Sequence, residues 1–105
     1  MEAQKNENVG PTYNLENLKK TVKDLGKKSF TGSSMAGIAE LGMTVEDAID
    51  CIDCLCIDDF YKTMPSMKDP GHFQDVYHGK YWSEEIYIKF TGYTVGPVVI
   101  SFKEK

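Results

Sequence analysis

Near its C-terminal end this chain switches to a period of two. From Glu84 to Thr91, Ile86, Ile88 and Phe90 fall on one parity and Glu85, Tyr87, Lys89 and Thr91 on the other. From Pro97 to Lys103 the apolar set Val98, Ile100 and Phe102 alternates with Val99, Ser101 and Lys103. Successive side chains of a strand point to opposite faces, so each stretch reads as a strand with one buried face. Phe73 to His78 is a third strand candidate, although Phe73, Asp75 and Tyr77 compete with Gln74 and Val76 for its inner face. Gly79-Lys80 and the stretch from Gly92 to Gly96 separate the three, and short connections favour antiparallel neighbours.

The first half has a helical period. Asn14 reads as an N-cap before Leu15, Leu18, Val22 and Leu25, with Gly26 just past the end. Lys28 to Thr31 reads as a short strand. Ser33 or Ser34 caps a second helix that turns Met35, Ile38, Ala39 and Leu41 inward and closes at Gly42. Thr44 with Asp47 approximates a capping box for a third helix, whose apolar stripe is Val45, Ala48, Ile49, Ile52 and Leu55. Its outer face carries Glu46, Asp47, Asp50 and Asp53, which reads as a solvated surface. Asp58 caps one further turn from Phe60 to Met64, ended by Pro65. The class is therefore α+β, with N-terminal helices packed on a C-terminal antiparallel sheet.

At 105 residues the chain fits one domain, expected over 13–105 behind a flexible polar leader over 1–12. No apolar run is long enough to span a bilayer and the start has no signal region, so a cytoplasmic protein without membrane contact is expected. Cys51, Cys54 and Cys56 suit reduced thiols better than a disulfide framework, and their spacing makes a poor zinc site; no metal or other cofactor is expected. A thiol or metal sensor built on these cysteines is the weakest of the functional readings.

The formal net charge of −4 argues against a generic nucleic-acid binder, but the charge is unevenly spread. Residues 1–59 carry six Lys against eleven carboxylates, a balance of −5, and residues 60–105 carry six against five, a balance of +1. All twelve basic residues are Lys, so phosphate would be held by point charges and not by bidentate forks.

The stretch from Asp58 to Tyr77 places Lys62 and Gln74 among aromatics on either side of a loop, the kind of position where binding and chemistry concentrate. Strand parity leaves Tyr87 and Lys103 on the non-core side, where paired strands would bring them together. His72 and His78 invite an acid and base scheme, but nothing in the sequence fixes the two together.

Four blocks, Asp59-Phe60-Tyr61-Lys62, Gln74-Asp75-Val76-Tyr77, Ile86-Tyr87-Ile88-Lys89 and Ser101-Phe102-Lys103-Glu104-Lys105, resemble the MqsR family of bacterial toxins. The similarity runs from about Tyr13 to Lys105 and is closer in the second half. It implies the fold of RelE-like microbial ribonuclease toxins and a ribosome-independent endoribonuclease, an mRNA interferase cutting at short GCU-like sites. It also implies an MqsA-like antitoxin as partner. The family's catalytic set falls by motif on Lys62, Gln74, Tyr87 and Lys103, with a contribution from Tyr61.

RNA scission by a 2′-hydroxyl needs a base, an acid for the 5′ leaving oxygen and cations for the phosphoryl charge, and it needs no metal. Lys62 and Lys103 suit the cationic or basic roles, Tyr87 the acid, and Gln74 the orientation of the phosphate. Tyr61, Tyr77, Met64 and Lys89 are the expected RNA-binding residues, the two tyrosines by stacking on bases. The competing reading is a non-catalytic interaction or regulatory module of the same fold.

Overall fold

The protein was analysed as a computed structural model, which describes residues 10–68, 71–92 and 96–105. Helix α1 (Leu15–Leu25) starts where the Asn14 side chain accepts the Asn17 N–H at 2.9 Å and stops at Gly26, whose φ of 58° a residue with a Cβ resists. It buries Leu15, Leu18 and Val22, while Leu25 is exposed. A 3₁₀ turn (Gly26–Ser29) follows in place of the expected strand; of that strand only Phe30 remains, as a single parallel bridge to Val99. Helix α2 (Gly32–Glu40) is capped by Thr31, two and three residues ahead of the expected Ser33 and Ser34, and Ser34 is itself buried. Helix α3 (Val45–Asp53) has the expected reciprocal capping box, with Asp47 N–H on the Thr44 hydroxyl and Thr44 N–H on the Asp47 carboxylate.

Four strands follow: β1 (Phe60–Pro65), β2 (Phe73–Tyr81), β3 (Glu84–Thr91) and β4 (Val99–Glu104), paired antiparallel in the order β1-β2-β3-β4. The expected helical turn over Phe60–Met64 is thus a strand. Only a 3₁₀ turn over Ile57–Asp59 precedes it, and Pro65 ends the strand. Phe60, Tyr61 and Thr63 favour extended backbone, and an edge strand accommodates a terminal Pro because its missing N–H is no loss there.

The helices cover one face of the sheet. Leu18, Val22, Ile52 and Leu55 pack with Tyr77, Ile86, Ile88, Phe90 and Phe102 in one core. Gly79 on β2 lets this layer close, since a Cβ there would lie 2.8 Å from Leu55 Cδ2. The β4 edge is covered by α2, where Gly37 approaches the Phe102 carbonyl so closely that any Cβ would overlap it. The outer edge is β1.

The segment entering α1 is clamped to the sheet. Asp75, fully buried on the inner face of β2, accepts the N–H of Thr12 at 3.0 Å and of Tyr13 at 2.8 Å. Thr12 also shares a hydroxyl hydrogen bond with Thr63 of β1. Of the expected leader over 1–12, residues 1–9 lie outside the described residues, and Thr12 is held in place. No helix among the described residues is long and apolar enough to cross a membrane.

Strand register departs from simple alternation at two places. A slip between Phe60 and Lys62 sends Phe60 inward against Tyr77 and Lys62 outward beside Val76, and turns Tyr61 outward as well. A second slip pairs Phe90 with Val99 and Lys89 with Ser101, leaving Ile100 as the extra residue. Val99 and Phe102 therefore enter the core, whereas Ile100, expected inside, lines the open face.

Candidate active site

The face away from the helices is organised in three rows across the strands. In the first, Tyr87 of β3 lies between His78 of β2 and Lys103 of β4. In the second, Lys62, Val76, Lys89 and Ser101 stand side by side. In the third, Gln74 lies between Met64 and Thr91. Val76 is fully buried yet outside the main core, so the side chains of this second layer cover it.

The first row is tied together by rings. Tyr61 stacks on His78 with centroids 4.2 Å apart, and the His78 and Tyr87 centroids are 5.9 Å apart. The Lys103 ammonium lies 5.1 Å from the Tyr87 centroid and that of Lys89 5.8 Å, while Lys62 lies 5.5 Å from the Tyr61 ring. Among the described residues Lys62, Lys89 and Lys103 pair with no carboxylate, so the face carries unneutralised positive charge. Partial burial pushes the His78 pKa below its ordinary value, and Lys105 and Lys62 push it the same way against Glu85.

Lys62, Tyr87 and Lys103, expected to act together, meet on this face, as do Tyr61 and Lys89. Gln74 and Met64 share the face at its far end. Gln74 is four strand residues from the position opposite Tyr87, roughly 13 Å away.

Tyr77 is a correction. Its ring is fully buried on the inner face, edge-on to Phe60 and Phe90, so no base can stack on it. It has the opposite parity from Gln74 and His78, which the competing apolar patterns of β2 concealed. The two histidines do not act as a pair either. His72, whose carbonyl accepts the Ser66 N–H, is six residues from His78, roughly 20 Å along the strand. His78 alone enters the first row, and its cross-strand pairing with Tyr87 is the signal that finds it.

Cys51 is buried, with its thiol pKa pushed up to about 12 chiefly by desolvation, while Cys54 and Cys56 are exposed. Among the described residues no group of three or more His, Cys, Asp or Glu side chains is arranged to hold a metal ion.

The blocks that carried the sequence resemblance fall one on each strand and supply this face. The sequence profile of the family described as "Motility quorum-sensing regulator, toxin of MqsA" matches residues 10–104. The chain belongs to the MqsR toxin family. It is 33% identical over 95 residues to the mRNA interferase toxin MqsR of Escherichia coli (strain K12), a match covering 90% of this chain and 95% of that protein.

Proposed function

We propose that this protein is an endoribonuclease toxin, an mRNA interferase, that cuts single-stranded RNA on the open face of its sheet without a metal ion. The observation that carries this reading is the row His78, Tyr87 and Lys103, bordered by Lys62 and Lys89, which pair with no carboxylate among the described residues. The 2′-oxygen attacks the adjacent phosphorus, the bond from phosphorus to the 5′-oxygen breaks, and the products are a 2′,3′-cyclic phosphate and a 5′-hydroxyl. His78, held toward its neutral form, accepts the 2′-hydroxyl proton. Tyr87 gives its proton to the leaving 5′-oxygen, and the nearby Lys103 ammonium favours the phenolate that results. Lys62 and Lys89 offset charge on the phosphoryl oxygens, and Tyr61, more than half exposed, stacks on a base.

Gln74 stands too far from Tyr87 to touch the same phosphate, so it orients the strand and not the reacting atoms. Ribosome independence and cleavage at GCU-like sites are part of the proposal and rest on family membership. An MqsA-like antitoxin is the proposed partner. Its docking by strand addition at β1 follows from β1 being the edge that α2 leaves uncovered. A toxin and antitoxin titration in which no complex forms would remove the partner claim.

The decisive experiment incubates the purified protein with a long RNA in EDTA, beside the Lys62→Ala variant, and maps the new ends. Discrete cuts by the unaltered protein alone are expected. Intact RNA from both folded proteins would favour the non-catalytic module.

A further inference from the structure

The far end of the open face holds a cavity of about 500 Å³ between Met64, Gln74, Lys89, Ile100 and the start of α2 at Thr31 and Ser33. We infer that it is a base-reading subsite, taking one single-stranded RNA base that flanks the cut without being attached to the attacked ribose. This rests on the nuclease reading above and adds to it where sequence preference arises.

Position, size and chemistry converge. The cavity continues from the first row through Lys89, which lines it while its ammonium faces the Tyr87 ring, so an RNA strand crossing Tyr87 arrives at it. Its volume is that of a pocket for one small planar ligand. The walls offer Met64, Ile100 and the exposed Met67 to the flat faces of a base; methionine adapts to different rings, and base stacking tolerates any π-face.

Reading a base also needs a donor and an acceptor on its edge. The Gln74 side-chain amide presents both and has no hydrogen-bond partner among the described residues. The frame is rigid where it matters. Thr31 is fixed as the cap of α2 by the Ser34 N–H at 3.1 Å, and α2 is pressed on β4 at Gly37. The β4 bulge turns Ile100 out of the core into this cavity, which sets a larger apolar side chain there than the Val99 that plain alternation would leave.

The test uses two variants and two readouts. Gln74→Glu keeps the shape of the side chain and removes its donors, while Ser33→Phe fills the cavity from the exposed first turn of α2. Each is given a random-sequence RNA and the ends are mapped. Separately, the methyl resonances of Met64 and Met67 are followed as a pool of uncleavable 2′-O-methyl RNA hexamers is added.

Gln74→Glu is expected to change base preference at a single flanking position by about tenfold, the scale of one two-point base contact. Ser33→Phe should flatten preference at that same position, and the hexamers should shift both methyls. Cuts at unchanged sequences in both variants, with unmoved methyls, would overturn the subsite and leave the nuclease standing. Methyl shifts without any cleavage by the unaltered protein would do the reverse, keeping the base pocket and removing the nuclease.

Discussion

Tyr77 and Tyr87 belong to neighbouring strands of one sheet and differ in everything but residue type. Tyr77 is sealed among Phe60, Phe90 and the helix layer, its hydroxyl buried without a hydrogen-bond partner among the described residues and its pKa pushed up to about 12 by burial, with Asp75 adding to the shift. Tyr87 is partly exposed, between an imidazole and a lysine. The two faces also differ in charge, because the carboxylate of Asp75 lies inside and Lys62, Lys89 and Lys103 lie outside. Strand parity, more than residue identity, separates what holds this protein together from what it does.

Removing the same atom from each tyrosine gives the largest test of that separation. Tyr87→Phe should lower the cleavage rate by about 10²-fold or more, the scale of a lost proton donor, with the melting temperature unmoved. Tyr77→Phe should leave cleavage intact and raise stability by about 1 kcal/mol, because it deletes a hydroxyl that is desolvated and unpaired. Cleavage rates and melting curves of the two variants decide it. A Tyr77→Phe protein that folds and does not cut would break the comparison.

Asp75 sharpens it from the other side. Its carboxylate belongs to the matched Gln74 to Tyr77 block, yet it serves the fold by holding the Thr12 and Tyr13 amides. Asp75→Ala leaves both donors without their acceptor and should cost about 3 kcal/mol, a large share of the stability of a small domain. Denaturant unfolding measures the loss, and faster amide exchange at Thr12 and Tyr13 locates it. An unchanged midpoint would mean that the clamp contributes nothing.

Much of this was readable beforehand, and the misreadings share a cause. The caps at Asn14 and Thr44 and the outward parity of Tyr87 and Lys103 follow from local rules, and the structure has them. Ile100 escaped because a bulge shifts parity by one, and no residue there announces the slip. Strand β1 escaped because Asp58-Asp59 ahead and Pro65 behind bracket it like a helical turn, and pairing with β2 outweighs that signal. Tyr77 was misplaced because β2 has polar groups on both parities. The amides of Thr12 and Tyr13, more than sixty residues away in sequence, allow Asp75 to turn inward.

The smallest expected effect on stability concerns His78, which lies between the two roles, partly buried and on the chemical face. The groups around it are Asp59, Tyr61 and Lys62 from the β1 side, Lys80 on its own strand, Glu85 and Tyr87 on β3, Lys103 on β4 and Lys105 just past its end. Burial, Lys105 and Lys62 hold its pKa below the ordinary 6.5, so the unfolded chain takes up the proton first as pH falls. Above 6.5 both states are neutral and His78 makes no difference to stability; below it the fold loses ground until the folded pKa is passed. Melting temperature should therefore drop slightly more steeply with acid in the parent than in His78→Gln. The cleavage rate should fall on the acid side with a midpoint below 6.5, and that limb should vanish in His78→Gln along with most of the activity. A His78→Gln protein with the parent's rate and pH profile would remove His78 from the chemistry and leave it as a support for Tyr61.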